Sequence, residues 1–163
     1  MTRATIFGDD TILRAVAGEI EGEGIAVVPS TLFLEGLLVA PGPVAGPPVG
    51  SEALKDVGLG FKLLESLGAH DVGQGAMLES GAVLAVEAVE GTDAMIERGG
   101  AFSRGQAVVV KAAKKGQDMR FDVPAVGPQT LLAMASAGAT TLALEAGASI
   151  ILEREGFDAK ADE

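Results

Sequence analysis

The sequence contains no cysteine, no tryptophan and no tyrosine. Without cysteine there are no disulfides and no thiolate metal sites, and the redox compartment goes unread. Aromatic residues make up only 4% of the chain. Base-stacking platforms are therefore scarce, which disfavours single-stranded nucleic-acid binding. Positive charge is short as well: 12 Lys and Arg face 23 Asp and Glu, a formal net charge of -11. Affinity for nucleic acid comes from neutralising phosphates, so no nucleic-acid partner is expected. The opening MTRATIFGDD has no apolar stretch of signal-peptide length, and no run approaches the ~20 apolar residues of a membrane span. A cytoplasmic location is the expectation, with room for surface contact with a membrane through a lipid substrate.

What is present is aliphatic. Hydrophobic residues are 48% of 163, enough for one domain whose core is built from Val, Leu, Ile and Ala. Asp9 or Asp10 predicts a helix start, with Ile12, Leu13, Val16 and Ile20 on one face as far as about Glu23. IAVV at 25–28 reads as a strand. Residues 41–50 hold four prolines and three glycines, a long loop. Ser51 reads as a cap for a helix carrying Leu54, Val57, Phe61 and Leu64 up to Gly68. AMLE, Ser80-Gly81 and AVLAVEAVE read as strand, turn and strand, the second delivering Glu90 at its end. A short helix is expected from Thr92 or Asp93 to Glu97 or Arg98, then a buried strand, AVVVK, ending on Lys111. Gly127-Pro128 opens another helix, with Pro at the favoured first position, and Gly138 closes it. TTLALE and SIILER complete the pattern, and the residues after Gly156 read as a frayed polar tail. The expected fold is α/β: a single domain with a mixed sheet of several short strands and three or four helices.

Two polar knots stand out. One is Glu90-Gly91-Thr92-Asp93. The other spans 111–122 and holds Lys111, Lys114, Lys115, Gln117, Asp118, Arg120 and Asp122. Carboxylate oxygens hold hard cations, and Lys or Arg neutralises phosphate oxygens, so this mixture suits phosphate and divalent-metal chemistry. Both knots fall where strands end, where open sheets commonly bind ligands. On an extended backbone Asp118, Arg120 and Asp122 share one side. There they would hold metal and grip a phosphate, or form a plain surface salt-bridge ladder. Glu90 and Asp93 are metal candidates, although Thr92 and Asp93 would also serve as ordinary helix caps. Glu87 is expected on the opposite face and outside the site. Lys111, at the end of an apolar strand, needs a partner, either an acid or a bound phosphate. Lys114 is a further phosphate candidate, Lys115 reads as solvated, and Gln117 would bond sugar or phosphate. Asp71 and Gln74 form a third knot, in which Asp71 would equally cap a turn. His70, the lone histidine, has no assigned role. Met77, Met95, Met119 and Phe121 would line an apolar groove or pack in the core.

The ordered segments Gly8-Asp9-Asp10, Asp71-Val72-Gly73-Gln74, Val83 to Met95 with its EGTDAM motif, Lys111, Gly116-Gln117-Asp118, Arg120, Asp122, Pro124 and Gly127-Pro128 resemble the C-terminal domain of the LpxI family. That family is the UDP-2,3-diacylglucosamine pyrophosphatases of lipid A biosynthesis. The resemblance covers the chain from about Gly8 to about Arg154. It implies metal-dependent hydrolysis, with Mg2+, of the pyrophosphate bond of UDP-2,3-diacylglucosamine to UMP and lipid X. Asp118 and Asp122 would be catalytic, and Glu90, Asp93, Asp118 and Asp122 would hold metal. Lys111, Lys114, Gln117, Arg120, Thr92, Asp71 and Gln74 would bind substrate. The resemblance also implies a missing N-terminal domain, with residues 1–7 a remnant of the link, 8–155 the LpxI-like domain and 156–163 a polar tail. Peripheral contact with the inner membrane and an oligomer are both compatible with it. Two features depart from the family pattern: Ala113-Lys114-Lys115-Gly116 lacks its proline, and the 41–50 loop is idiosyncratic. A non-catalytic domain that binds an anionic lipid or sugar phosphate is the alternative reading, and a purely structural domain is a third.

Overall fold

A computed structural model describes residues 9–114, 118 and 120–163. The elements run α1 (Asp9–Gly22), α2 (Ser51–Gly68), β1 (Gly75–Glu79), β2 (Ala82–Val86), α3 (Thr92–Gly100), β3 (Ala107–Lys111), β4 (Ala125–Val126), α4 (Pro128–Ser136), β5 (Ala139–Leu144), β6 (Ile150–Ile151) and α5 (Arg154–Ala161). Two short 3-10 turns, Ser30–Phe33 and Glu35–Leu37, lie between α1 and α2.

The main sheet has the order β2-β1-β3-β5. β1 is antiparallel to β2 and β3, and β3 is parallel to β5, so the sheet is mixed. β3 is central, and all five of its residues are buried, which is why it reads as an unbroken aliphatic run rather than an alternation. Side chains of successive residues still part to opposite faces. Ala76, Leu78, Val108 and Val110 meet Leu64 and Phe61 of α2. Met77, Ala107 and Val109 meet Met95 and Ile96 of α3 and Met134 of α4. The result is three layers, helix on sheet on helices. Gly60 lets α2 lie close to the sheet, because a Cβ there would sit 2.5 Å from Val110 Cγ2. Asp56, buried on α2, accepts the Ser80 and Gly81 amides at 2.8 and 2.7 Å. It thereby satisfies the β1–β2 turn, where both residues have positive φ.

Met77 and Met95 are fully buried in this core, so they line no acyl groove. Met119 lies outside the described residues. Ser51 is the first residue of α2 and Gly50 is the cap. The expected strand at 25–28 is absent: residues 25–29 have no regular structure and Ile25 is 61% exposed. Among the described residues no strand pairs with this stretch, and an apolar run without a pairing partner cannot satisfy a strand's backbone groups.

The expected frayed tail is also corrected, because Arg154–Ala161 form α5. Its one aromatic, Phe157, is buried with Val39, Val126 and Ile151, beside the small parallel sheet of β4 and β6. Asp162 accepts the Gly46 amide at 3.2 Å, and Arg154 donates to the Val44 carbonyl at 3.4 Å, so this helix also pins the Pro/Gly loop. With α5, the described residues contain five α-helices rather than three or four. Polar composition hid one anchoring residue.

Candidate functional site

The polar segments converge on one end of the main sheet. β3 ends there at Lys111, β1 starts there at Gly75, and the two are register partners. β2 and β5 also end on this side, at Val86 and Leu144. The Glu145 amide donates to the Lys111 carbonyl at 3.0 Å. The Glu145 carboxylate accepts the Ala113 amide at 2.8 Å. The chain leaving β3 is thus anchored where it begins to carry polar side chains.

β2 stops four residues before Glu90. The expectation that Glu90 ends that strand is corrected: residues 87–91 form the loop that leads into α3. Gly91, at φ 86°, is the cap of α3, and no side chain bonds there. Capping therefore does not occupy Thr92 or Asp93. Glu90 and Gly91 to Ala94, together with Lys111, Ala125 and Thr130, line a hollow of about 360 Å³. Lys111 lies on the sheet face of Ala107 and Val109 and is 7% exposed. Its ammonium donates to Thr92 Oγ1 at 2.6 Å. No carboxylate lies within ion-pair distance of it among the described residues. A buried cation with only a hydroxyl partner is costly, and here it borders an open hollow.

Glu87, expected outside the site, does not line the hollow, but it bonds to Thr92, which does, and that contact is what sequence reasoning missed. Glu87 is buried, and its Oε1 accepts the Thr92 hydroxyl at 3.1 Å. The alternation argument failed because the strand is not regular this far. Thr92, five residues on, was the available signal, since a helix-start hydroxyl can turn back to an acid that precedes it.

Glu90 pairs with Arg98 and accepts the Ala88 amide. Those bonds, the Arg98 one first, hold its carboxyl below the usual range. Asp93 is exposed at the hollow's edge in the first turn of α3.

The described polar residues of the 111–122 segment other than Lys111 form a second group. Arg120 and Phe121 form a turn, closed by the Phe121 amide on the Asp118 carbonyl at 3.1 Å. The expected one-sided ladder of Asp118, Arg120 and Asp122 is therefore replaced by a direct clamp. Arg120 grips both Asp118 oxygens, Nε at 2.9 and 3.0 Å and Nη2 at 2.7 Å. Its Nη1 reaches Glu21 of α1 at 2.7 Å, and its guanidinium lies over the Phe121 ring at 5.1 Å. Asp122 accepts the Gln74 side-chain amide. Lys114 pairs with Asp71 at 2.7 Å, where Asp71 has φ 58° in the turn after α2. Gln117 and Lys115 lie outside the described residues. His70 is exposed at that same turn. Lys111, Thr92, Asp93 and Glu90 thus share the hollow, whereas Asp118, Arg120, Asp122, Gln74, Asp71 and Lys114 do not line it.

The Arg120 guanidinium pulls the Asp118 carboxyl from its ordinary 3.8 down to about 2. A depressed folded value means the pair's contribution is complete above the unfolded pKa and is lost as pH falls toward about 2. A carboxyl-detected NMR titration is expected to show Asp118 ionised through pH 3. Arg120→Ala is expected to return it toward its ordinary value.

Among the described residues no three acidic, histidine or cysteine side chains form a metal-holding group. An all-protein cage is absent from them. Mg2+, however, commonly uses one or two carboxylates completed by substrate phosphates and water. Asp93 and Glu90 at the hollow fit that smaller requirement. Among the described residues no helix is long and apolar enough to cross a membrane.

The protein is a layered α/β domain that gathers a buried lysine, a helix start and acidic side chains at one sheet end. Residues 40–163 match the LpxI C-terminal domain family, and the chain belongs to that family. It is 34% identical over 164 residues to a protein of Caulobacter vibrioides named UDP-2,3-diacylglucosamine pyrophosphatase LpxI. That similarity covers 96% of this chain and 59% of the relative's length.

Proposed function

We propose that this chain is the C-terminal part of a metal-dependent hydrolase that cleaves the pyrophosphate bond of UDP-2,3-diacylglucosamine, giving UMP and lipid X in lipid A biosynthesis. The observation that carries the reading is Lys111: a buried ammonium at the wall of a hollow of about 360 Å³, bonded only to Thr92 among the described residues. Family membership and the relative's printed activity give the anion its identity.

Lys111 neutralises charge that develops on the departing phosphate, and it does so from a partly dehydrated position where that interaction is strong. The start of α3 adds the positive end of its dipole beside the same hollow. Asp93 and Glu90 would hold Mg2+, which would supply Lewis-acid polarisation of phosphate oxygens. Asp118 has both oxygens held by Arg120, so its part is to fix the guanidinium. Asp122, oriented by Gln74, lies outside the hollow's lining, so its part as acceptor of the attacking water's proton requires the diphosphate to extend from the hollow to it. The water oxygen bonds to one phosphorus as the bridging P–O bond breaks. Arg120, Lys114, Asp71 and Gln117 belong to the substrate-binding rim, which an N-terminal domain would complete. Contact with the cytoplasmic side of the inner membrane follows from the acyl chains of the substrate.

UMP release from UDP-2,3-diacylglucosamine with Mg2+ tests this. The chain is assayed alone and combined with an N-terminal domain of the LpxI family. UMP and lipid X in equal amounts are expected from the combination. A folded, combined protein that binds lipid X without turnover establishes the non-catalytic alternative instead.

A further inference from the structure

Glu87 is nine-tenths buried, yet its two oxygens are treated unequally. Oε1 accepts the Thr92 hydroxyl at 3.1 Å. Oε2 is buried, with no hydrogen-bond partner among the described residues. An unsatisfied buried carboxylate oxygen is expensive, so local satisfaction does not explain why the group is turned inward. The backbone nevertheless secures it there. The Glu87 amide donates to the Gly75 carbonyl at 2.9 Å. A Cβ at Gly75 would lie 2.6 Å from Oε2, and one at Gly73 would lie 1.9 Å from the Glu87 carbonyl oxygen. Two glycines are needed for Glu87 to sit as it does.

The order of donors gives the arrangement its sense. Thr92 has one proton, and it is committed to Glu87. Its oxygen is then left as an acceptor facing Lys111, whose Nζ donates to it at 2.6 Å. Glu87 and Lys111 are both buried and of opposite charge, yet a hydroxyl separates them. A direct ion pair would offset the ammonium's charge and could take two of its three donors. The interposed threonine uses only one.

We propose that Glu87 is a positioning residue: acting through Thr92, it holds the Lys111 ammonium so that the remaining N–H donors face an anionic phosphate in the hollow. This rests on the reading of the hollow given above as a phosphate site.

The test is binding of inorganic pyrophosphate by calorimetry to the full chain and to five variants, each checked for folding by circular dichroism. Glu87→Met removes the acceptor and keeps an apolar side chain of similar length, so it is expected to fold and to bind about tenfold more weakly or worse. Glu87→Gln keeps an oxygen for Thr92 and is expected to restore most of the affinity, which a role based on packing alone would not require. Thr92→Val is expected to weaken binding, and adding Glu87→Met to it is expected to cost little more, because the two act in series. Lys111→Met is expected to abolish binding. If Lys111→Met abolishes binding while Glu87→Met and Thr92→Val bind as the parent does, the positioning role is overturned and the phosphate site stands. If Lys111→Met binds as the parent does, the phosphate site itself falls.

Discussion

Lys111→Met is expected to lower UMP release by about 10²–10³-fold, the usual consequence of removing one charge-stabilising donor. It is also expected to raise the stability of the fold. Lys111 is 7% exposed, and its only partner among the described residues is a hydroxyl. A buried ammonium in that setting has lost much of its hydration with little in return. Methionine preserves the stem's packing without the charge, and replacing a buried ionic group by an apolar one of similar shape often stabilises by about 1 kcal/mol or more. The opposite signs make the prediction sharp. Activity and thermal melting are measured on the same preparations. A variant that melts lower and turns over normally would mean that Lys111 serves the fold and not the ligand.

Gly73→Ala is expected to be the most damaging single-methyl addition near the site. Gly73 has φ 55°, and a Cβ there would lie 1.9 Å from the Glu87 carbonyl oxygen and 2.7 Å from its carbon. Those are backbone atoms, which cannot step aside as a flexible side chain would. A left-handed residue with a Cβ and an overpacked contact together cost roughly 2–4 kcal/mol. Relief of the clash has to displace the 87–91 loop, so pyrophosphate binding is expected to fall along with stability. Gly81→Ala is the control. It has φ 80° but nothing within 4 Å of the added atom, so only the conformational cost of about 1 kcal/mol applies. Denaturant unfolding separates the two variants, and equal losses would show that the close approach to Glu87 is unimportant.

Much of the architecture is legible in the residues themselves. The unbroken aliphatic run AVVVK marks a strand covered on both faces, and β3 is that strand. Apolar spacing defines α2, and Gly127-Pro128 marks the start of α4. The EGTDAM and GQD segments point to the LpxI family, to which residues 40–163 are matched. The readings that failed share one cause: they assigned local conformation where a distant partner decides it. IAVV at 25–28 has strand-forming residues but no strand beside it among the described residues. The last eight residues look like a tail, yet Phe157 finds Val39, Val126 and Ile151.

Within the candidate site the division is the same. The sequence by itself determined which chemical groups are available, because side-chain identity fixes charge and hydrogen-bonding capacity wherever the chain goes. It also placed those groups at element ends, since polar residues interrupt the apolar periodicity that builds strands and helices. Only the tertiary structure decided which groups meet. It brought Lys111 to Thr92 across 19 positions and Gln74 to Asp122 across 48, and it closed Arg120 onto Asp118 in a turn instead of an open strand. Partnership between side chains depends on register and on close backbone approach at Gly73 and Gly75, and neither is a property of any short stretch of residues.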